Sequence, residues 1–133
     1  EWMVEQRIAL GLPVAYEANW HDGAELDPSE VYETVRHSPD LRVVLSEVHY
    51  RQFSWALPLL RSLPNVSIEI SCFVVVDGVV RLLEAVGPER ILFGSRFPDS
   101  PMPPQIYHLH NAGLGDADLR AICAGNLGRL LGL

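Results

Sequence analysis

Two acidic residues stand at the ends of apolar runs in this 133-residue chain, where they can do chemistry. Glu17 lies at the end of residues 13–18 (PVAYEA), and Glu47 closes residues 41–47 (LRVVLSE). A carboxylate so placed can act as a general base or hold a cation, or it can simply be solvated. His49 follows Glu47 by two residues and would titrate near neutrality, though an ordinary loop histidine is the plainer reading. His21, beside Trp20, offers the same pair of readings after the first run. Asp99 comes three residues after Arg96; it could serve as an acid, or as a turn former ahead of Ser100-Pro101. Cys72 follows the third run and reads more readily as structural than as a thiolate. His37 sits at a helix end, where a cation is favoured, and His108 and His110 read as surface residues.

Several chemistries are excluded at this level. All ten basic residues are Arg, so no Lys exists for a Schiff base or for a phosphate-binding loop. No Ser-His-Asp or Cys-His array assembles, and Gly94-Ser95-Arg96 lacks the second glycine of a nucleophile elbow. After the first run comes Asn19-Trp20-His21 rather than a glycine-rich loop, which weakens a nucleotide-binding reading.

Strands of suitable composition must position these groups. Residues 13–18, 41–47, 66–71 and 91–95 have strand length and β-branched or alternating apolar character. In the third run Val66, Ile68 and Ile70 share one face and Glu69 the other. Helical patterns alternate with them over residues 1–10, 29–37, 52–62 and 76–86. Asp27-Pro28-Ser29-Glu30 is a good helix start, and Gly87-Pro88 is a stop. Pro58 would kink the helix over 52–62 or end it early. The tail from 103 to 132 is helical, with segments near 105–112, 116–124 and 126–132 and with Asp116 and Asn126 as N-caps. The strand starts are 28, 25 and 25 residues apart, a βα period that implies parallel strands joined by right-handed crossovers. A small doubly wound sheet and half of an eight-stranded barrel both fit this α/β pattern.

Composition bounds the rest. One domain of ordinary size is expected, 48% hydrophobic and 20% charged. The net charge of −7, without a basic run, argues against nucleic acid and anionic membranes as partners. No apolar run is long enough to span a bilayer, and a cytoplasmic location with two buried, unpaired thiols is expected.

Five segments in order resemble the amidohydrolase-2 type of metal-dependent hydrolase, a TIM-barrel family that includes decarboxylases. They are Gly11-Leu12-Pro13-Val14, Ser38-Pro39-Asp40 leading into Leu41–Leu45, Pro64-Asn65-Val66 leading into Ser67–Ser71, Gly87–Ser95 with Phe97-Pro98, and Gly125–Leu131. The resemblance implies that residues 1–133 are the C-terminal half of a (β/α)8 barrel, strands five to eight. It implies that a missing N-terminal half, from the same full-length chain or another subunit, is a partner. Because the chain opens on Glu1, a fragment is the expectation.

The resemblance places metal ligands at the ends of the fifth, sixth and eighth strands, as two His and an Asp. This sequence has Glu17, Glu47 and Arg96 there. Two carboxylates suit a hard ion, but a guanidinium repels a dication and cannot deprotonate at working pH. The expectation is a mouth without metal or other cofactor, in which Arg96 bridges Glu17 and Glu47. If Glu69 points inward, it adds a third carboxylate and competes for Arg96. The alternative is Zn, Mn or Mg held with help from ligands of the missing half. In catalysis Glu17 or Glu47 would be the general base and Arg96 would hold an anionic group, with Trp20, His21, His49 and Asp99 lining the substrate. The reading is a hydrolase-like or decarboxylase-like barrel for a small polar or carboxylic substrate. Its alternative is a degenerate barrel that binds a small anionic ligand or a partner.

Overall fold

The computed structural model describes residue 3, residues 9–13 and residues 27–133. Four short parallel strands pair in chain order: β1 (Leu10–Pro13), β2 (Val43–Ser46), β3 (Val66–Glu69) and β4 (Ile91–Leu92). Helix α1 (Pro28–Arg36) leads into β2, α2 (Phe53–Ser62) into β3, and α3 (Gly78–Val86) with a 3-10 turn (Pro88–Arg90) into β4. Consecutive order with right-handed crossovers puts every crossover helix on one face of the sheet. A doubly wound sheet would reverse direction and carry helices on both faces. The order therefore selects a partial barrel.

Register explains why one face is buried. Leu12, Leu45, Ile68 and Ile91 are opposite one another across the four strands. Leu45, Ile68 and Ile91 are fully buried, and Leu12 packs against the same core. Val31 and Val35 of α1, Leu59 and Leu60 of α2, and Val79 and Leu82 of α3 cover this row. Each such side chain contributes roughly 1.5–3 kcal/mol by leaving water. The opposite face carries Gly11, Val44 and Ser67 in one row and Glu69 beside Leu92 in the next.

Several sequence expectations shift. The first strand begins at Leu10, not at 13, and residues 14–18 lie outside the described residues, as does most of the helix expected over 1–10. The second, third and fourth strands are shorter than expected. Glu47 turns left-handed directly after β2, the Ser71 N–H goes to a side chain, and the Phe93 N–H goes to the carbonyl of Ile122 (3.0 Å) instead of a strand. Pro58 neither ends α2 nor stops it early, since the helix runs on to Ser62. The tail holds α4 (Pro103–His110) and, after a turn over residues 111–115, one uninterrupted helical rod of α5 (Asp116–Arg120), a π-turn (Ala121–Gly125) and α6 (Asn126–Leu131). Asp116 is the first helical residue, and Gly115 occupies the cap. Asn126 is not a cap either. It is buried, and its amide donates to the carbonyls of Pro88 (2.7 Å) and Ile91 (2.8 Å), tying the tail to β4. Of the two cysteines only Cys72 is buried; Cys123 is exposed beside the buried Ile122, and neither is in a disulfide. No helix among the described residues is long and apolar enough to cross a membrane.

The N-terminal ends of the strands are held by side chains that satisfy carbonyls. Asn65 donates to Ser38 (3.2 Å) and Leu41 (2.8 Å). Arg90 donates to Leu60 and Leu63 (2.8 Å each) and to Val66 (3.2 Å), joining the end of α2 to the start of β3. Burial pushes the Arg90 pKa down, and the three carbonyls offset that cost. Replacing Arg90 by Met keeps the stem and removes these bonds, so chemical denaturation should show a loss of about 2–3 kcal/mol. Asn126→Leu, which takes the side-chain donor away from the buried Ile91 carbonyl, should cost about 1–3 kcal/mol in the same assay.

Candidate functional site

The C-terminal ends of the strands form the chemically distinctive part of the molecule. Directly after β2, Glu47 has φ 57°, and four residues after β4, Arg96 has φ 55°. A non-glycine residue in the left-handed region costs on the order of 1–3 kcal/mol and is held there by its surroundings. Two such residues at corresponding strand ends turn the chain sharply where strand gives way to loop. Both side chains are half-buried.

Between them lies Glu69, the last residue of β3. Its carboxylate accepts from the Ser71 N–H (2.6 Å) and the Ser71 hydroxyl (2.7 Å), and the backbone N–H of Glu47 is directed at it as well. On its remaining side it rests over Gly94, where any Cβ would overlap the carboxylate. This close approach is why a glycine is needed at 94. Burial raises the Glu69 pKa from its ordinary value, the Ser71 and Glu47 donors oppose the rise, and the charge of Glu47 reinforces it.

Cys72 completes the group. Arg96 Nη1 lies 3.5 Å from its sulfur, and the Ser71 hydroxyl is 3.8 Å away. Burial pushes the thiol pKa up. Arg96 pulls it down and Glu47 pushes it up, so both charges reach the same sulfur. The thiol stays neutral near pH 7, a poor nucleophile but a compact lining group.

The structure thus brings Glu47, Glu69, Cys72 and Arg96 together. Glu69 is the inward carboxylate that the sequence left as a conditional. Glu17, Trp20 and His21 lie outside the described residues. His49 is half-buried in the loop after β2, where its N–H donates to the Gln52 side chain (3.2 Å). Asp99 is exposed in a turn closed by the Ser100 N–H on the Arg96 carbonyl (3.0 Å). Sequence reasoning missed Ser71, Gly94 and Gln105. Gln105 is buried on α4 and donates to the Ser71 carbonyl; nothing local signals a contact between positions 34 residues apart.

Comparison with known proteins follows the same outline. A family model described as amidohydrolase matches residues 9–133. No curated protein matches. Among solved structures, an uncharacterised TIM-barrel protein from Bordetella bronchiseptica superposes with a TM-score of 0.79 at 18% identity, over 98% of this chain and 48% of that one. A 5-carboxyvanillate decarboxylase from Sphingomonas paucimobilis gives 0.67 at 15% identity, over 98% and 51%. A dihydroxybenzoic acid decarboxylase from Polaromonas, with bound manganese and 2-nitroresorcinol, gives 0.59 at 15% identity, over 74% and 36%. The chain spans about half the length of the first two and about a third of the last.

The raised pKa of Glu69 has a sign that can be tested. The folded protein holds the proton more tightly than the unfolded chain. Its contribution to stability is therefore complete below the ordinary value of 4.5 and is lost as pH rises through the raised value. Urea unfolding of wild type and Glu69→Gln across pH should show wild type gaining relative stability on acidification toward about 4.5, with no further change below. Gly94→Ala, which evicts the carboxylate from its seat, should cost about 1–3 kcal/mol.

Proposed function

The chain belongs to the amidohydrolase family, and from that premise we propose that its strand mouth recognises a small polar or carboxylic substrate through Arg96. The observation that carries this reading is the juxtaposition of Arg96 and Glu47 about Cys72, each in a left-handed backbone state at its strand end. A guanidinium fork suits a carboxylate or a developing oxyanion. Glu47, at the end of β2 and across β3 from Arg96, would supply the general base, with Glu17 as the other candidate. His49 and Asp99, on the loops after β2 and β4, are the described residues proposed to line the substrate; Trp20 and His21, outside the described residues, are proposed for the same role.

The described residues do not fit a divalent metal. No three of their His, Cys, Asp and Glu side chains converge as ligands. Arg96 stands where the family resemblance calls for an aspartate, and its charge opposes a dication. No step is therefore assigned to a metal, and the proposed chemistry is acid–base catalysis with electrostatic anion binding. The missing half-barrel would close the cleft and exclude water from it.

The second reading is a barrel that binds a small anion without turnover. It is favoured by the same replacement of the expected ligands, since fold alone does not carry activity.

Benzoate serves as a probe for both readings. The full-length protein should show a thermal upshift with millimolar benzoate, and Arg96→Gln should weaken binding about tenfold or more, the loss of a charge-assisted pair. A bell-shaped rate profile on carboxylic substrates, abolished by Glu47→Gln, selects the enzyme; thermal shifts without turnover select the binding module. About one equivalent of tightly held metal, whose removal by EDTA destabilises the full-length protein, overturns the metal-free mouth.

A further inference from the structure

Three strand ends meet at one side chain. The Glu69 carboxylate leaves β3, takes both donors of Ser71 in the turn that follows, receives the Glu47 N–H just past β2, and fills the space over Gly94 just past β4. Glu47 and Arg96, the two groups with which the mouth would act, are the two left-handed residues on either side of it. Glu47 shares its own backbone N–H with the carboxylate, and Arg96 is two residues beyond Gly94. From the outside, buried Gln105 fixes the Ser71 carbonyl to α4.

We propose that Glu69 is a positioning residue, a latch that fixes the ends of β2, β3 and β4 relative to one another and so sets the directions in which Glu47 and Arg96 present their side chains. This deepens the reading of the mouth as an anion site and rests on it. Parallel ladders cannot do this job alone. The ladder between β3 and β4 spans only the pairs Ile68–Ile91 and Glu69–Leu92; the Ile70 N–H adds one bond to the Leu92 carbonyl (3.1 Å), and the Phe93 N–H already goes to the carbonyl of Ile122 (3.0 Å). A carboxylate has the acceptor capacity to meet N–H and O–H donors from two chain segments at once, and it is rigid when so bonded. A hydrophobic side chain in the same seat would leave the Ser71 and Glu47 donors without it. An alanine at 94 would push the carboxylate out even with Glu69 intact.

Amide hydrogen exchange on the whole chain separates a latch from a generally stabilising residue. In Glu69→Ala, protection of the Ser71 and Glu47 amides should fall by about tenfold or more while the Val43 and Ile68 ladder amides hold nearly constant. Gly94→Ala should reproduce the pattern with the carboxylate still present, and it serves as the second variant should Glu69→Ala fail to fold. Benzoate should bind either folded variant at least about fivefold more weakly than wild type, because the guanidinium is no longer aimed. Loss of protection spread evenly over ladder and mouth overturns the proposal, as does unchanged protection at Ser71 and Glu47. A local loss with unaltered benzoate affinity overturns the positioning role. If wild type binds no benzoate, the anion-site reading falls by itself, and the exchange pattern still decides for or against the latch.

Discussion

Strands β2, β3 and β4 are no more than four residues long, and the buried backbone groups beyond their short ladders must find partners elsewhere. That constraint organises both ends of the molecule. At the N-terminal ends the surplus groups include carbonyls, and the chain answers with donors: Asn65, Arg90 and Asn126. At the C-terminal ends they include N–H groups, and the chain answers with the acceptor Glu69. Part of this follows from helix polarity, since in a parallel βα unit a helix such as α2 ends, with its orphan carbonyls, on the side where the strands begin.

The two ends differ in what their partners cost. Asn65 and Asn126 are neutral amides, so their burial needs only hydrogen bonds. Glu69 carries a charge into a partly dry site beside a second carboxylate, and its raised pKa records that cost. Arg96, nearby through Cys72, carries the opposite charge. A stabilising end and a strained, charged end on one short sheet match the division of labour in barrels, where the C-terminal face carries the chemistry.

The one-sided helix layer has a consequence for completeness. Apolar side chains alternate onto the helix face, and the opposite face receives Gly11, Val44, Ser67, Glu69 and the buried Leu92. That is the composition of a barrel lining near its mouth more than of a solvent-facing surface. It agrees with a chain that spans about half the length of the TIM-barrel proteins it resembles.

Much of the fold was legible in the residues themselves. Alternation of Val66, Ile68 and Ile70 fixes which face is buried, Asp27-Pro28 starts a helix, and the spacing of the apolar runs demands parallel crossovers; all of these are local or periodic signals. The family was legible too, through short segments such as the one ending in Phe93-Gly94-Ser95. The lengths of the strands were not, because Glu47 turns left-handed under tertiary restraint and not by glycine chemistry, and the Phe93 N–H leaves the sheet for the carbonyl of Ile122. Nor was the inward role of Glu69, which depends on the absence of a side chain at Gly94, 25 positions away. Asn126 reads as a cap in one dimension and is a buried brace in three, because its partners, Pro88 and Ile91, come close only when the tail folds back on β4. Sequence determined which residues are apolar and how often; only the tertiary structure decided which polar groups meet, since hydrogen bonds at distant positions leave no period to read.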